Sequence, residues 1–286
     1  LGLLGADAAA LDDDPVDAGA GDVFLGLDLV TDGVRHHRAL YERWHARGAK
    51  LHFVVYDLLP VLHPQWFPDE AVQHYRGWLE TVCACADGLV CISRAVRDEL
   101  AGWLEQAGVP GPVRPRLGWF HLGGDLEASL PSRGLGEDAQ ALLERIAARP
   151  SFLMVGTVEP RKGHAQALAA FDLLWARGVD CRLLIVGRAG WMVDELAGRL
   201  RAHPQRGERL IWLENASDEL LARCYDASAA LLLASEGEGF GLPLIEAARH
   251  RLPIVARDLP VFREVAGGFA TWFFGDTPEA LADLLQ

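Results

Sequence analysis

Short apolar runs alternate with stretches of helical spacing along most of this chain, from Val23 to its end. Val23-Phe-Leu-Gly-Leu-Asp-Leu29, Leu51-His-Phe-Val-Val55 and Leu89-Val-Cys-Ile92 are short, bounded apolar runs and read as buried strands. Between them, the residues from Arg35 to Gly48 have helical spacing and end on a glycine. Pro68-Asp69 opens a second helix running to about Ala86, and Ser93 is placed as the N-cap of a third reaching about Ala107. The region from Gly108 to Pro150 carries Pro110, Pro112, Pro115, Pro131 and Gly134, breakers that suit a domain boundary. After Pro150 the alternation becomes regular. Strands are expected at Phe152–Val155, Arg182–Val186, Arg209–Leu213, Ala229–Leu233, Pro253–Ala256 and Thr271–Phe274, with helices in the gaps.

This pattern implies an α/β fold: parallel sheets with helices packed on them, arranged as two Rossmann-like domains over residues 1–148 and 149–286. The first is short of strands for a complete doubly wound domain. The chain has no initiator Met, and its helical pattern runs on to Gln286, so a piece of a larger protein is expected. Gly5 to Asp22 is rich in Ala, Gly and Asp and reads as a loop.

Charge narrows the partners. The 286 residues include 27 basic and 40 acidic side chains, a net charge of −13, which argues against nucleic acid and leaves room for a local basic patch around an anionic ligand. With 50% hydrophobic and 23% charged residues the chain can bury a sizeable core. Five cysteines make no disulfide framework, and Cys83, Cys85 and Cys91 have poor spacing for zinc, so reduced, apolar thiols and no metal are expected. No apolar run approaches the roughly 18 residues of a bilayer span, and Leu1–Ala10 lacks the basic start of a secretory signal. A cytoplasmic location is expected.

Two loops carry chemistry. Gly156-Thr-Val-Glu-Pro-Arg-Lys-Gly163 follows the first strand of the second half, and sets Arg161 and Lys162 at the carboxyl edge of the sheet, where parallel sheets bind ligands. An arginine fork and a lysine point charge suit a diphosphate; a solvated basic pair at a helix start is the plainer alternative. Glu238-Gly-Phe-Gly-Leu-Pro-Leu-Ile-Glu246 follows the strand Ala229–Leu233, its glycines freeing the backbone and Pro243 suiting the first turn of a helix whose amides face an anion.

These two loops, with Arg257-Asp-Leu-Pro-Val-Phe-Arg-Glu264, resemble a GT-B retaining glycosyltransferase of family 4, nearest the bacterial mannosyl- and rhamnosyltransferases of surface polysaccharides. Val54-Val-Tyr-Asp-Leu-Leu-Pro-Val-Leu-His-Pro64, Cys91-Ile-Ser-Arg94 and Trp119-Phe-His-Leu-Gly-Gly-Asp125 extend the resemblance more loosely into the first half. The resemblance implies transfer of a hexose from a nucleotide diphosphate sugar, GDP-mannose first and dTDP-rhamnose second, to a glycan or lipid-linked acceptor, without metal or other cofactor. It implies that Lys162, helped by Arg161, holds the diphosphate, and that Glu238 contacts the sugar while Glu246 hydrogen-bonds the ribose. Gly156 and Thr157 would lie beside the phosphates, the amides of Gly239, Phe240, Gly241 and Leu242 would cradle sugar and phosphate, and the segment from Glu214 to Ser217 would line the base pocket. Tyr56 and Asp57 would face the acceptor.

Two departures stand out. Thr157 occupies a position where many relatives place arginine, and Tyr56 replaces the histidine of a His-Asp strand end, so no catalytic histidine carries over. The family often works beside membranes, yet the sequence offers no polybasic stretch for anionic lipid. A glycosidase would also use two carboxylates. A degenerate module that binds sugar nucleotide without turnover is the other alternative.

Overall fold

A computed structural model describes residues 16–107, 114–124, 132–136 and 138–286. The expectations placed on Gly108–Pro112 and on Pro131 lie outside these residues. The first half contains β1 (Val23–Gly26), α1 (Thr31–His36), α2 (Arg38–Ala46), β2 (Lys50–Val55), α3 (Leu59–Leu62), α4 (Asp69–Cys85), β3 (Gly88–Cys91), α5 (Arg94–Ala107) and β4 (Arg116–Trp119). The second contains α6 (Ala139–Ala147), β5 (Ser151–Val155), α7 (His164–Ala176), β6 (Arg182–Val186), α8 (Asp194–Ala202), β7 (Leu210–Leu213), α9 (Asp218–Ala227), β8 (Ala230–Leu233), α10 (Leu242–Arg249), β9 (Ile254–Arg257), α11 (Pro260–Ala266), β10 (Ala270–Phe273) and α12 (Pro278–Leu285).

All strand pairs are parallel, in two sheets of order β1-β2-β3-β4 and β10-β9-β8-β5-β6-β7. In the second sheet the winding reverses between β5 and β8, so their loops diverge and leave a crevice at the carboxyl edge. The loops carrying Arg161, Lys162 and Glu238 follow those two strands. Leu183, Leu184, Ile185, Leu231 and Leu232 are completely buried, because helices cover both faces. Phe53, Trp78, Leu79 and Leu89 anchor a separate core in the first half.

Sequence and structure differ in three elements. The single helix expected from Arg35 to Gly48 is two, α1 and α2, joined at His37. Arg116–Trp119 is a strand, paired with β3, although its proline-rich surroundings read as a boundary. The expected strand from Val23 to Leu29 stops at Gly26. Ser93 caps α5 as expected, its Oγ accepting from Val96 N at 3.1 Å. The five cysteines are free and buried. Burial pushes the Cys83 and Cys91 thiols up to about 12 and Cys85 up to about 11, so none is a ready thiolate. Among the described residues, no helix is long and apolar enough to cross a membrane.

Candidate active site

The two halves meet at the carboxyl edges of their sheets. Between β5 and α7 the chain makes a short 3-10 turn, Pro160–Lys162, closed by Gly163 at φ 70°. A Cβ at Gly163 would sit 2.1 Å from the Ala234 carbonyl oxygen, so only glycine lets this turn rest against the end of β8. Arg161 and Lys162 therefore face the loop that follows β8.

Glu238 is the centre of that loop. It accepts from Arg161 Nη1 at 2.8 Å and from Ser235 Oγ at 2.9 Å, and it also binds Lys162 Nζ. Its side chain is 10% exposed. Burial alone would push its pKa up, but the charges and hydrogen bonds of Lys162 and Arg161 outweigh that and hold it below the ordinary glutamate value. Arg161 is shared further: Nη2 lies 2.7 Å from Glu159 Oε1, and Nη1 donates to the Gly237 carbonyl at 3.0 Å. Burial opposes the Arg161 charge, yet Glu238 and Glu159 raise its pKa. Glu159 is almost wholly buried and has its carboxyl raised, chiefly by that burial.

Across the cleft, Asp57 follows β2. Its Oδ1 accepts from Leu59 N at 3.0 Å, and its carbonyl accepts from Tyr75 OH. Burial pushes the Asp57 carboxyl up, against the opposing Leu59 amide and Arg161 charge. Tyr56 turns away and donates to the Leu27 carbonyl at 2.6 Å. Gly239 passes so close to this strand end that a Cβ there would come within 2.2 Å of the Tyr56 carbonyl oxygen. Ser93 Oγ donates to the Gly239 carbonyl at 2.9 Å while capping α5, so one hydroxyl serves both halves. Phe240 is buried against Val54 of β2 and Ile92 just past the end of β3.

Gly241, at φ 95°, precedes α10, and Leu242 begins it, half-exposed, with Pro243 in the first turn. Glu246 lies one turn in, and its Oε2 accepts from buried Tyr225 OH at 2.5 Å. Gly156 lies under the Lys162 side chain, its Cβ direction 3.8 Å from Lys162 Cε. Thr157 is exposed and lies against Gly190. Glu214 pairs with Arg201 at 2.7 Å at the end of β7. Ser217 caps α9 and donates to the Gly134 carbonyl at 2.8 Å. Arg161, Lys162, Glu238, Gly239 and Asp57 thus come together, whereas the Ser217 hydroxyl is engaged in tying residues 132–136 to α9.

Several contributors carry no obvious signal in sequence. Ser235 and Glu159 complete the ion cluster; Glu159 sits in the loop from Gly156 to Gly163 and Ser235 just before Glu238, with nothing in the sequence to mark either as buried. Glu264 on α11 accepts from Arg94 N at 2.7 Å and Ala95 N at 2.9 Å, the first amides of α5, and lies 2.7 Å from His121 Nε2. Trp191 Nε1 donates to the Trp66 carbonyl at 2.8 Å and its ring stacks on Phe67, another bridge between the halves.

The sequence profile of glycosyl transferases group 1 matches residues 143–286, half of the chain and the half that carries the ion cluster. The chain belongs to this family. Its fold is of the GT-B type, like that of the glycosyltransferase structures it superposes on. Among these are Anabaena Alr3699/HepE in complex with UDP and glucose (TM-score 0.64, 16% identity, covering 91% of this chain and 67% of that one). Another is an α,α-trehalose-phosphate synthase (UDP-forming) from Burkholderia xenovorans (TM-score 0.69, 15% identity, 92% and 65%). In sequence, this family member is 45% identical over 277 residues to the serotype-specific mannosyltransferase WbdA of Escherichia coli, covering 96% of this chain and 34% of WbdA. A phosphatidyl-myo-inositol mannosyltransferase of Mycolicibacterium smegmatis is 38% identical over 112 residues, 37% of this chain and 27% of that protein. The chain spans about a third of the length of WbdA.

Proposed function

We propose that this glycosyl transferases group 1 chain moves a mannosyl group from GDP-mannose to a hydroxyl of a surface-polysaccharide acceptor, with retention of configuration. The observation that carries the reading is the buried pair of cations, Arg161 and Lys162, at the switch point of the second sheet with a shared carboxylate between them. Family membership and the 45% identity to the mannosyltransferase WbdA support the choice of sugar.

In this reading the glycosidic bond to the diphosphate breaks, and negative charge grows on the leaving phosphate. Lys162, Arg161 and the first amides of α10 stabilise it from fixed positions, the kind of preorganised electrostatics that contributes several kcal/mol. Arrival of the diphosphate draws the cations from Glu238, whose carboxylate then meets the sugar hydroxyls. Glu246, held by Tyr225, accepts from the ribose. The acceptor hydroxyl approaches along Asp57, and its proton passes to the departing phosphate, so no metal or protein base is invoked.

Isothermal calorimetry of this chain against GDP-mannose, dTDP-rhamnose and UDP-glucose tests the proposal, with Lys162→Ala and Glu246→Ala as variants. The expected result is heat with GDP-mannose alone, weakened in both variants. Binding of GDP-mannose that survives Lys162→Ala unchanged refutes the diphosphate role. Preference for another donor refutes the mannosyl assignment.

A further inference from the structure

At the other edge of the first sheet, where its strands begin, the surface forms a cavity of about 880 Å³ that opens to solvent. The cleft lies past the ends of the same strands, so the six residues of β2 separate the two places by roughly 20 Å. The cavity falls within the size range of small-molecule sites. Its charge runs against that of the whole protein. Arg38, Lys50, Arg114 and Arg116 line it, four permanent cations opposed by the carboxylates of Glu42 and Asp87, in a chain of net charge −13.

The pairing inside the cavity is uneven. Arg38 meets Glu42 at 2.8 Å and Lys50 meets Asp87 at 2.8 Å, so both carboxylates are already engaged. Asp87 is fixed in turn by the Leu51 amide at 2.9 Å, which pins Lys50 at the cavity wall. Arg114 and Arg116 have no side-chain partner among the described residues. They bracket the start of β4, with the Arg116 amide bonded to the Asp87 carbonyl at 2.9 Å. Two unpaired guanidinium groups in a concave site present forks matched to phosphate oxygens. Cys85 in the wall keeps its proton, its thiol pushed up to about 11 by burial, and so offers neither a nucleophile nor a soft metal ligand.

We propose that this cavity binds a phosphate or diphosphate ester through Arg114 and Arg116, at a site separate from the cleft. The phosphate could be borne by a soluble molecule or by a lipid headgroup; the chemistry at the two guanidinium groups is the same.

The test uses inorganic pyrophosphate as probe and Lys162→Ala as the background, which weakens the cleft as a competing site, while the loss on removing the two arginines reads the cavity alone. Calorimetry should show pyrophosphate binding to Lys162→Ala, and at least about tenfold weaker binding once Arg114→Gln and Arg116→Gln are added, about 1.4 kcal/mol or more. Both arginines are exposed, and an unchanged melting temperature shows that the added substitutions leave the fold intact. Equal affinity with and without the two arginines, or no binding to Lys162→Ala, overturns the proposal. Co-sedimentation with phosphatidylcholine vesicles containing phosphatidic acid, competed by pyrophosphate and lost with the arginines, assigns the phosphate to a lipid. Pyrophosphate binding without such co-sedimentation assigns it to a soluble ester. Failure of this site leaves donor binding at the cleft untouched, and the reverse holds as well.

Discussion

Replacing Glu238 by glutamine keeps the shape of the side chain and removes its charge. The carboxylate is 10% exposed and binds Arg161, Lys162 and Ser235. Breaking a buried ion pair from one side costs roughly 3–5 kcal/mol. Here the figure falls toward about 2–3 kcal/mol, because isolated pairs near solvent are worth less, the two cations keep 15% and 16% side-chain exposure, and Arg161 retains Glu159. At roughly 2–4 °C per kcal/mol for a unit of this size, Glu238→Gln lowers the melting temperature by about 4–12 °C. The assay is thermal unfolding by circular dichroism at pH 7 and low salt, with and without GDP. A diphosphate supplies the lost countercharge, so GDP should raise the melting temperature of the variant more than that of the parent. Acid should close the gap between them. The folded-state pKa of Glu238 is depressed, so its stabilising contribution is present above the unfolded value near 4.5 and is lost as pH falls through the folded one. A variant that melts within about 1 °C of the parent at pH 7, against the several degrees expected, or GDP that stabilises the parent more, would show that Glu238 is not the countercharge of the site.

Gly239→Ala should act on the meeting of the halves. Its Cβ would approach the Tyr56 carbonyl oxygen to 2.2 Å, so the loop must retreat. Overpacking of this kind costs about 1–3 kcal/mol, and both urea stability and donor affinity should fall; an alanine at Gly102, inside α5 with open space around its Cβ, should instead raise urea stability by up to about 1 kcal/mol and leave donor affinity unchanged. Glu264→Ala removes the acceptor for two amides of α5 and should cost about 0.5–2 kcal/mol at pH 7 by urea denaturation. Burial pushes the Glu264 carboxyl up, but the Arg94 amide, His121 and the Ala95 amide together hold it below 4.5, so the loss should shrink as pH falls below that value. A loss that grows toward acid would contradict that sign.

Most of the second sheet was legible from periodicity, because strands buried on both faces are short, uniformly apolar and bounded by glycine or helix signals. The expected and observed bounds of its strands differ by a residue at most ends. The first half was harder for reasons visible in the residues. Arg116–Trp119 is a strand only because the β3 edge is there to pair with it, and four residues starting on arginine carry no pattern of their own. Arg35 to Gly48 kept helical spacing across the break at His37, since a turn between two short helices need not disturb the apolar face. Among the candidate residues, charge type and loop position made Arg161, Lys162 and Glu238 conspicuous. Ser93 and Glu264 act through partners 143 to 170 positions away, and Glu159 and Ser235 through burial, neither of which a single sequence displays.

The ion cluster also explains how charged groups can be buried where the two halves meet. Arg161 and Lys162 are balanced by Glu159 and Glu238, so the cluster carries no net charge and the desolvation of each member is offset by its neighbours. A diphosphate would upset that balance by adding negative charge beside Glu159 and Asp57, two carboxyls already held above their ordinary values chiefly by burial. Both are therefore the groups on which a proton could settle with least penalty, whereas Glu238 is held low by its cations. The division of roles among three carboxylates follows from where each sits relative to Arg161 and Lys162. It needs no difference in side-chain chemistry, and it makes the two cations the element on which the rest of the cleft depends.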